Sequence, residues 1–104
     1  MDGLKFRVGP VVYAVKESEG LHDYNGTLFG TVTYDDCMIQ VERSLSDDRK
    51  KNVIIHELLH AILNEAGYEE HDEELVLRVG NILTQVLRDN VDTFAELFGT
   101  EEGE

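Results

Sequence analysis

Basic side chains are scarce in this chain of 104 residues, 9 against 22 acidic ones, which leaves a formal net charge of −13. Binding to nucleic acid through its phosphates draws on clustered Lys and Arg, so that class of function is set aside. The same repulsion disfavours an anionic membrane surface. No apolar run approaches the roughly 20 residues needed to span a bilayer. The first ten residues, MDGLKFRVGP, lack the charged-then-apolar layout of a secretory signal. Cysteine occurs once, at Cys37, so no internal disulfide framework exists and a reducing cytoplasm is the expected compartment.

What is present is a globular composition, 41% hydrophobic, in a length that supports one domain, 1–104. Residues 1–43 read as β-rich. Lys5–Val8 and Val11–Lys16 flank the breaker pair Gly9-Pro10 and predict a hairpin. Asn25-Gly26 marks a tight turn. Leu28–Tyr34 and Met38–Val41 then read as partner strands joined by a turn at Asp35-Asp36. Cys37, beside that turn, reads as a half-buried structural thiol.

Residues 44–98 change character. Ser44-Leu45-Ser46-Asp47-Asp48 supplies a capping hydroxyl and two carboxylates where a helix N-terminus favours them. Helical patterning runs from Asp48 to Ala66, with Gly67 as the terminating residue. A second helix is predicted over Asp72–Arg88, carrying Leu75, Val76, Val79, Ile82, Leu83, Val86 and Leu87 at the 3.6-residue period. Gly80 would let the two helices approach closely. Asn90 or Asp92 could cap a third helix through Phe98, and residues 99–104 read as a frayed acidic tail. The expected class is α+β: a small N-terminal antiparallel sheet, then two functional helices.

Residues 56–60 read His56-Glu57-Leu58-Leu59-His60, the H-E-x-x-H pattern. Histidines four apart on a helix share one face, so both imidazoles can hold one zinc ion. Glu57 can then serve as general base toward a zinc-activated water. Ile54, Ile55, Leu58, Leu59, Ile62 and Leu63 should bury most of this helix, whereas His56, Glu57, His60 and Asn64 form one polar stripe. Desolvating two imidazoles and a carboxylate is costly without a compensating partner, and a cation is one.

A catalytic zinc site usually takes three protein ligands. The third is sought in Glu69-Glu70-His71-Asp72-Glu73-Glu74. Glu73 lies at the margin of the second helix's apolar face and is the preferred choice. Glu74 points more nearly to solvent, Asp72 has short reach, and His71 precedes the helix. All three stay open as alternatives. Tyr34, Tyr68 and His71 are candidates to stabilise an oxyanion.

The H-E-L-L-H-A-I core, followed by E-E-L-V and Q-V-L-R-D-N, resembles zincin metallopeptidases of the gluzincin kind. More narrowly, it resembles small phage and prophage proteins grouped with ImmA/IrrE-type metallopeptidases, over roughly Leu28–Asn90. That resemblance implies a minimal zincin fold, zinc on His56, His60 and Glu73, and Glu57 as general base. It also implies a peptide or protein substrate paired to an edge strand at Met38–Val41, and a possible phage or prophage origin. Leu63, where metzincins need glycine, argues against that clan. The leading expectation is a zinc-dependent peptidase. A zinc-stabilised interaction module that binds a protein partner is the alternative, and a metal-free domain is a third reading.

Overall fold

A computed structural model describes residues 1–99. It contains strands β1 (Lys5–Val8), β2 (Val11–Ser18), β3 (His22–Asp23), β4 (Gly26–Thr27), β5 (Gly30–Thr33) and β6 (Met38–Glu42). Helices α1 (Asp47–Glu65), α2 (Glu73–Asp89) and α3 (Val91–Phe98) follow. The α+β class is as expected. The expected acidic tail, from residue 100 onward, lies outside the described residues.

The hairpin across Gly9-Pro10 forms, with Val8 opposite Val11. Gly9 sits at φ 58°, a left-handed conformation that glycine adopts without a Cβ penalty. A two-stranded ribbon, β3–β4, closes over Asn25. The larger sheet runs β1-β2-β6-β5. Its outer pairs are antiparallel, but β2 and β6 are parallel, with Val15 opposite Ile39 and Glu17 opposite Val41. The sheet is therefore mixed rather than wholly antiparallel. The chain inserts the ribbon and β5 between β2 and β6, which gives it the long connection that a parallel return requires.

A second expectation changes with this topology. The segment Met38–Val41 is not an edge: β6 lies between β2 and β5, and the outer strand on that side is β5. Strand β6 alternates half-buried and buried residues, with Ile39 and Val41 fully buried. Those two side chains join Tyr13 and Val15 to form the floor on which α1 rests, through Val53, Ile54 and Ala61. A strand that anchors the core from both neighbours is the interior strand.

Helix α1 starts where Ser46 accepts from the Arg49 N–H at 3.2 Å, with Asp47 and Asp48 in its first turn. It ends in a Schellman arrangement: Tyr68 N–H donates to Leu63 O and Gly67 N–H to Asn64 O, both at 3.0 Å, with Gly67 at φ 103°. One face covers the sheet. Lys50, 8% exposed, reaches back to Glu17 at 3.1 Å, so a buried ammonium is neutralised within the core layer. The Met1 ammonium and Lys50 together hold the Glu17 carboxyl below the usual carboxylate range.

The other face of α1 meets α2. Asn52 donates to Asn81 at 3.1 Å and to Thr84 at 3.3 Å, and Val76, Gly80 and Thr84 are buried along the seam. Leu75, Val79 and Ile82 remain exposed, so the apolar band of α2 is wider than α1 can cover. Ile62 of α1 is also exposed, and the helix is less buried than its composition implied. Asn90 heads α3 without a side-chain cap; its amide instead donates to Val86 O at 2.8 Å.

Two glycines test this packing in opposite directions. At Gly30, a Cβ would run into Val53 Cγ1 and crowd Gln40 O at 3.0 Å, so β5 sits against α1 only because that atom is missing. At Gly80, a Cβ would meet His56 Cα at 3.8 Å, an ordinary contact, so the helix approach does not require glycine. Gly30→Ala should destabilise the fold by about 1–3 kcal/mol through overpacking. Gly80→Ala should be neutral or stabilising by up to about 1 kcal/mol through helix propensity. Denaturant unfolding of both variants checks the contrast; equal losses would contradict it.

Candidate metal centre

The polar stripe of α1 emerges where the helix passes between β5 and the start of α2. His56, Glu57 and His60 line one open hollow together with Gly30, Thr31, Val32, Tyr34 and Glu73. His60 is buried, 7% exposed, whereas His56 and Glu57 are half-buried. The two imidazoles meet edge to face with centroids 5.1 Å apart, as one helical turn dictates.

Glu73 arrives from the other helix. Asp72 caps α2 by accepting from Glu74 N–H at 3.0 Å and Leu75 N–H at 3.2 Å, which makes Glu73 the first helical residue. Its Oε1 then lies 3.3 Å from His60 Nε2 and 3.8 Å from His56 Nε2. One ligand atom from each of the three residues lies within 4.8 Å of the others. Two imidazole nitrogens and a carboxylate oxygen are a donor set suited to zinc with an open fourth position. These residues fit such an ion.

The alternatives to Glu73 are placed elsewhere. Glu74 pairs with Arg78 at 2.8 Å along the helix. Asp72 is occupied as the cap. His71 stands behind His60, with its Nδ1 2.7 Å from His60 Nδ1 and its Nε2 3.0 Å from Tyr68 O. Of the oxyanion candidates, Tyr34 and His71 both line the hollow, their rings 6.4 Å apart. Tyr68 is 61% exposed and does not line it, and both ring nitrogens of His71 are engaged. The fourth histidine, His22, is exposed on β3, its Nδ1 2.8 Å from Gly20 O, away from these residues.

The electrostatics follow from this geometry. Burial, then the charge of Glu73, pushes the Glu57 carboxyl up to about 7. Burial lowers the His56 imidazole, assisted by His60 and opposed by Glu73, so the ring favours its neutral form. Burial raises the Tyr34 phenol, with Glu57 and Glu73 adding to the shift, so its hydroxyl stays a donor.

Residues 15–99 match the family model Peptidase_M78, the IrrE N-terminal-like domain. The chain belongs to the IrrE N-terminal-like family. That span includes the second half of β2, the strands β3 to β6 and all three helices, so every member of the His56–Glu57–His60–Glu73 cluster falls inside the family domain. No curated protein and no solved structure shows significant similarity to the chain. Among the described residues, no helix is long and apolar enough to cross a membrane.

Most of the wall of the hollow has no signature in the sequence, Glu69 of the acidic run excepted. Gly30, Thr31 and Val32 carry no metal or acid–base signature. Only the packing of β5 on α1 brings them beside Glu57. Asp23 and Glu69, which also line the hollow, belong to a turn ribbon and a loop whose placement is non-local.

In metal-free protein, the Glu57 carboxyl should titrate near 7 and shift downward in Glu73→Gln, which removes a negative neighbour and leaves the burial. Because its folded value is raised, Glu57 contributes stability at acid pH and opposes folding as pH climbs from the ordinary glutamate range through 7. Carboxyl carbon NMR titration measures it; a midpoint in the ordinary range, unmoved by Glu73→Gln, would contradict the account.

Proposed function

We propose that this member of the family is a zinc-dependent peptidase acting on an extended peptide segment. His56, His60 and Glu73 would hold the ion, and Glu57 would be the general base. The observation that carries this reading is the convergence of three lone-pair donors from two helices beside the half-buried carboxyl of Glu57. The Peptidase_M78 match supports a peptidase-type chemistry.

The chain's own residues divide the work. Bound by the cluster, zinc supplies Lewis acidity that polarises water and the scissile carbonyl. Glu57 would remove the proton from the attacking water and return it to the departing amine. Tyr34 offers a phenolic donor toward the developing oxyanion. The outer edge of β5 borders the hollow and, unlike β6, has no strand beyond it among the described residues, so an extended substrate could add there by main-chain hydrogen bonds.

A zinc-stabilised interaction module is the second reading. The exposed apolar residues of α2 and α3, among them Ile82, Leu97 and Phe98, favour it. Zinc content does not separate the two readings, but Glu57 does.

Glu57→Gln should keep zinc and lose peptide hydrolysis by about 10²–10⁴-fold, the range expected for a general base. His60→Ala and Glu73→Ala should lose the metal. Tyr34→Phe should keep zinc and lower kcat by about 10²-fold, as removal of an oxyanion donor does. Cleavage of a mixed peptide library, with zinc assayed on the same preparations, checks all four. Undiminished hydrolysis in Glu57→Gln would sink the general-base role. A wild type that binds zinc yet cleaves nothing would favour the interaction module.

A further inference from the structure

We propose that His71 is a positioning residue that fixes the ring tautomer of His60, through a directed hydrogen-bond chain running from the Tyr68 carbonyl to the metal-facing nitrogen. The inference rests on the metal-site reading above and extends it to a residue outside the ligand cluster.

The chain is built from a fixed end. Tyr68 is the residue after Gly67 in the Schellman arrangement that terminates α1, and its N–H is committed to Leu63 O at 3.0 Å. That commitment anchors Tyr68 at the end of α1, and its carbonyl, in the peptide unit that follows, can only accept. His71 Nε2 lies 3.0 Å from this oxygen, so that nitrogen must carry the hydrogen. In the neutral ring, Nδ1 of His71 is then an acceptor. It lies 2.7 Å from Nδ1 of His60, and a contact that short between two nitrogens needs one proton between them. His60 Nδ1 must donate it.

The consequence falls on the other side of the His60 ring. With the proton on Nδ1, Nε2 presents a bare lone pair, and this is the nitrogen that faces Glu73 Oε1 at 3.3 Å. Two lone pairs directed at one another repel, and because His60 is buried while Glu73 is exposed, a cation or a water entering from the open side relieves the repulsion. The two rings are nearly parallel, with centroids 4.9 Å apart and planes at 21°, so His71 also restrains the plane of the His60 imidazole. Histidine ligands commonly receive such support from a carboxylate, a carbonyl or water. Here a second histidine takes that place and is itself anchored on a helix terminus. His56 has no counterpart to this arrangement among the described hydrogen bonds, so His60 is the better organised of the two rings.

His71→Asn is the informative variant. The Asn carboxamide oxygen occupies the position of the imidazole Nδ1 and can accept from His60, whereas Ala removes the acceptor. Apparent zinc affinity of wild type, His71→Ala and His71→Asn, measured by competition against a chelator, should fall about 10–100-fold in the Ala variant, as loss of an outer-shell partner does. Most of that loss should return in the Asn variant. Two-bond ¹H–¹⁵N correlation on wild-type protein reads the tautomers directly and depends on no variant. It should show His71 protonated on Nε2 and His60 on Nδ1, before and after zinc is added. A His71 ring protonated on Nδ1, an Ala variant within twofold of wild type, or an Asn variant no better than Ala would each overturn the proposal. A wild type that takes up no zinc would instead overturn the metal-site reading, and the ring spectra would still decide the tautomers.

Discussion

Helix α1 is pressed between two surfaces, and the rest of the site follows from that constraint. Its lower face rests on Ile39, Val41, Tyr13 and Val15 of the sheet through Val53, Ile54 and Ala61. Its flank is held against α2 by buried Val76, Gly80 and Thr84 and by the Asn52 contacts. Between these two interfaces one strip of the helix faces the hollow. His56, Glu57 and His60 occupy it, at the opening between β5 and the head of α2. Burial there desolvates Glu57 and His56 and shifts both toward their neutral forms. A fold that placed the same motif on an exposed helix would carry the ligands without these electrostatics.

The termini of the helices do the fine placement. Asp72, as the cap, makes Glu73 the first residue of α2 and aims it back at His60. Glu74, one position on, turns away to Arg78. The Schellman end of α1 reverses the chain between the two helices and brings round Tyr68, whose carbonyl His71 uses. A linker of seven residues, 66–72, thus supplies the reversal, the histidine beside His60 and the cap that places Glu73.

Much of this was legible in the residues, and what was not has a common cause. The helices announced themselves through local rules: Ser46 before two acids, apolar residues at helical spacing, Gly67 after the last turn. The His56–Glu57–His60 spacing is itself local, and Glu73 could be preferred from its place on the α2 wheel. The sheet was different. Strand positions were readable, but the parallel pairing of β2 with β6 and the exchange of edge from Met38–Val41 to β5 are set by which segments meet across the fold. No side-chain pattern within either strand encodes that choice. The role of Gly30 was hidden for the same reason, since its value lies in the nearness of Val53. Lys50 carried no signal of its own in the sequence, and its burial on Glu17 depends on a strand more than thirty residues away.

The claim at the centre is that His56, His60 and Glu73 form one zinc site. X-ray absorption at the zinc edge, on protein loaded to saturation and freed of excess metal, tests it most directly. The account predicts one zinc per chain in a first shell of two imidazole nitrogens and carboxylate or water oxygens, at about 2.0–2.2 Å. Failure to retain zinc, or a shell of oxygens without imidazole, would contradict it.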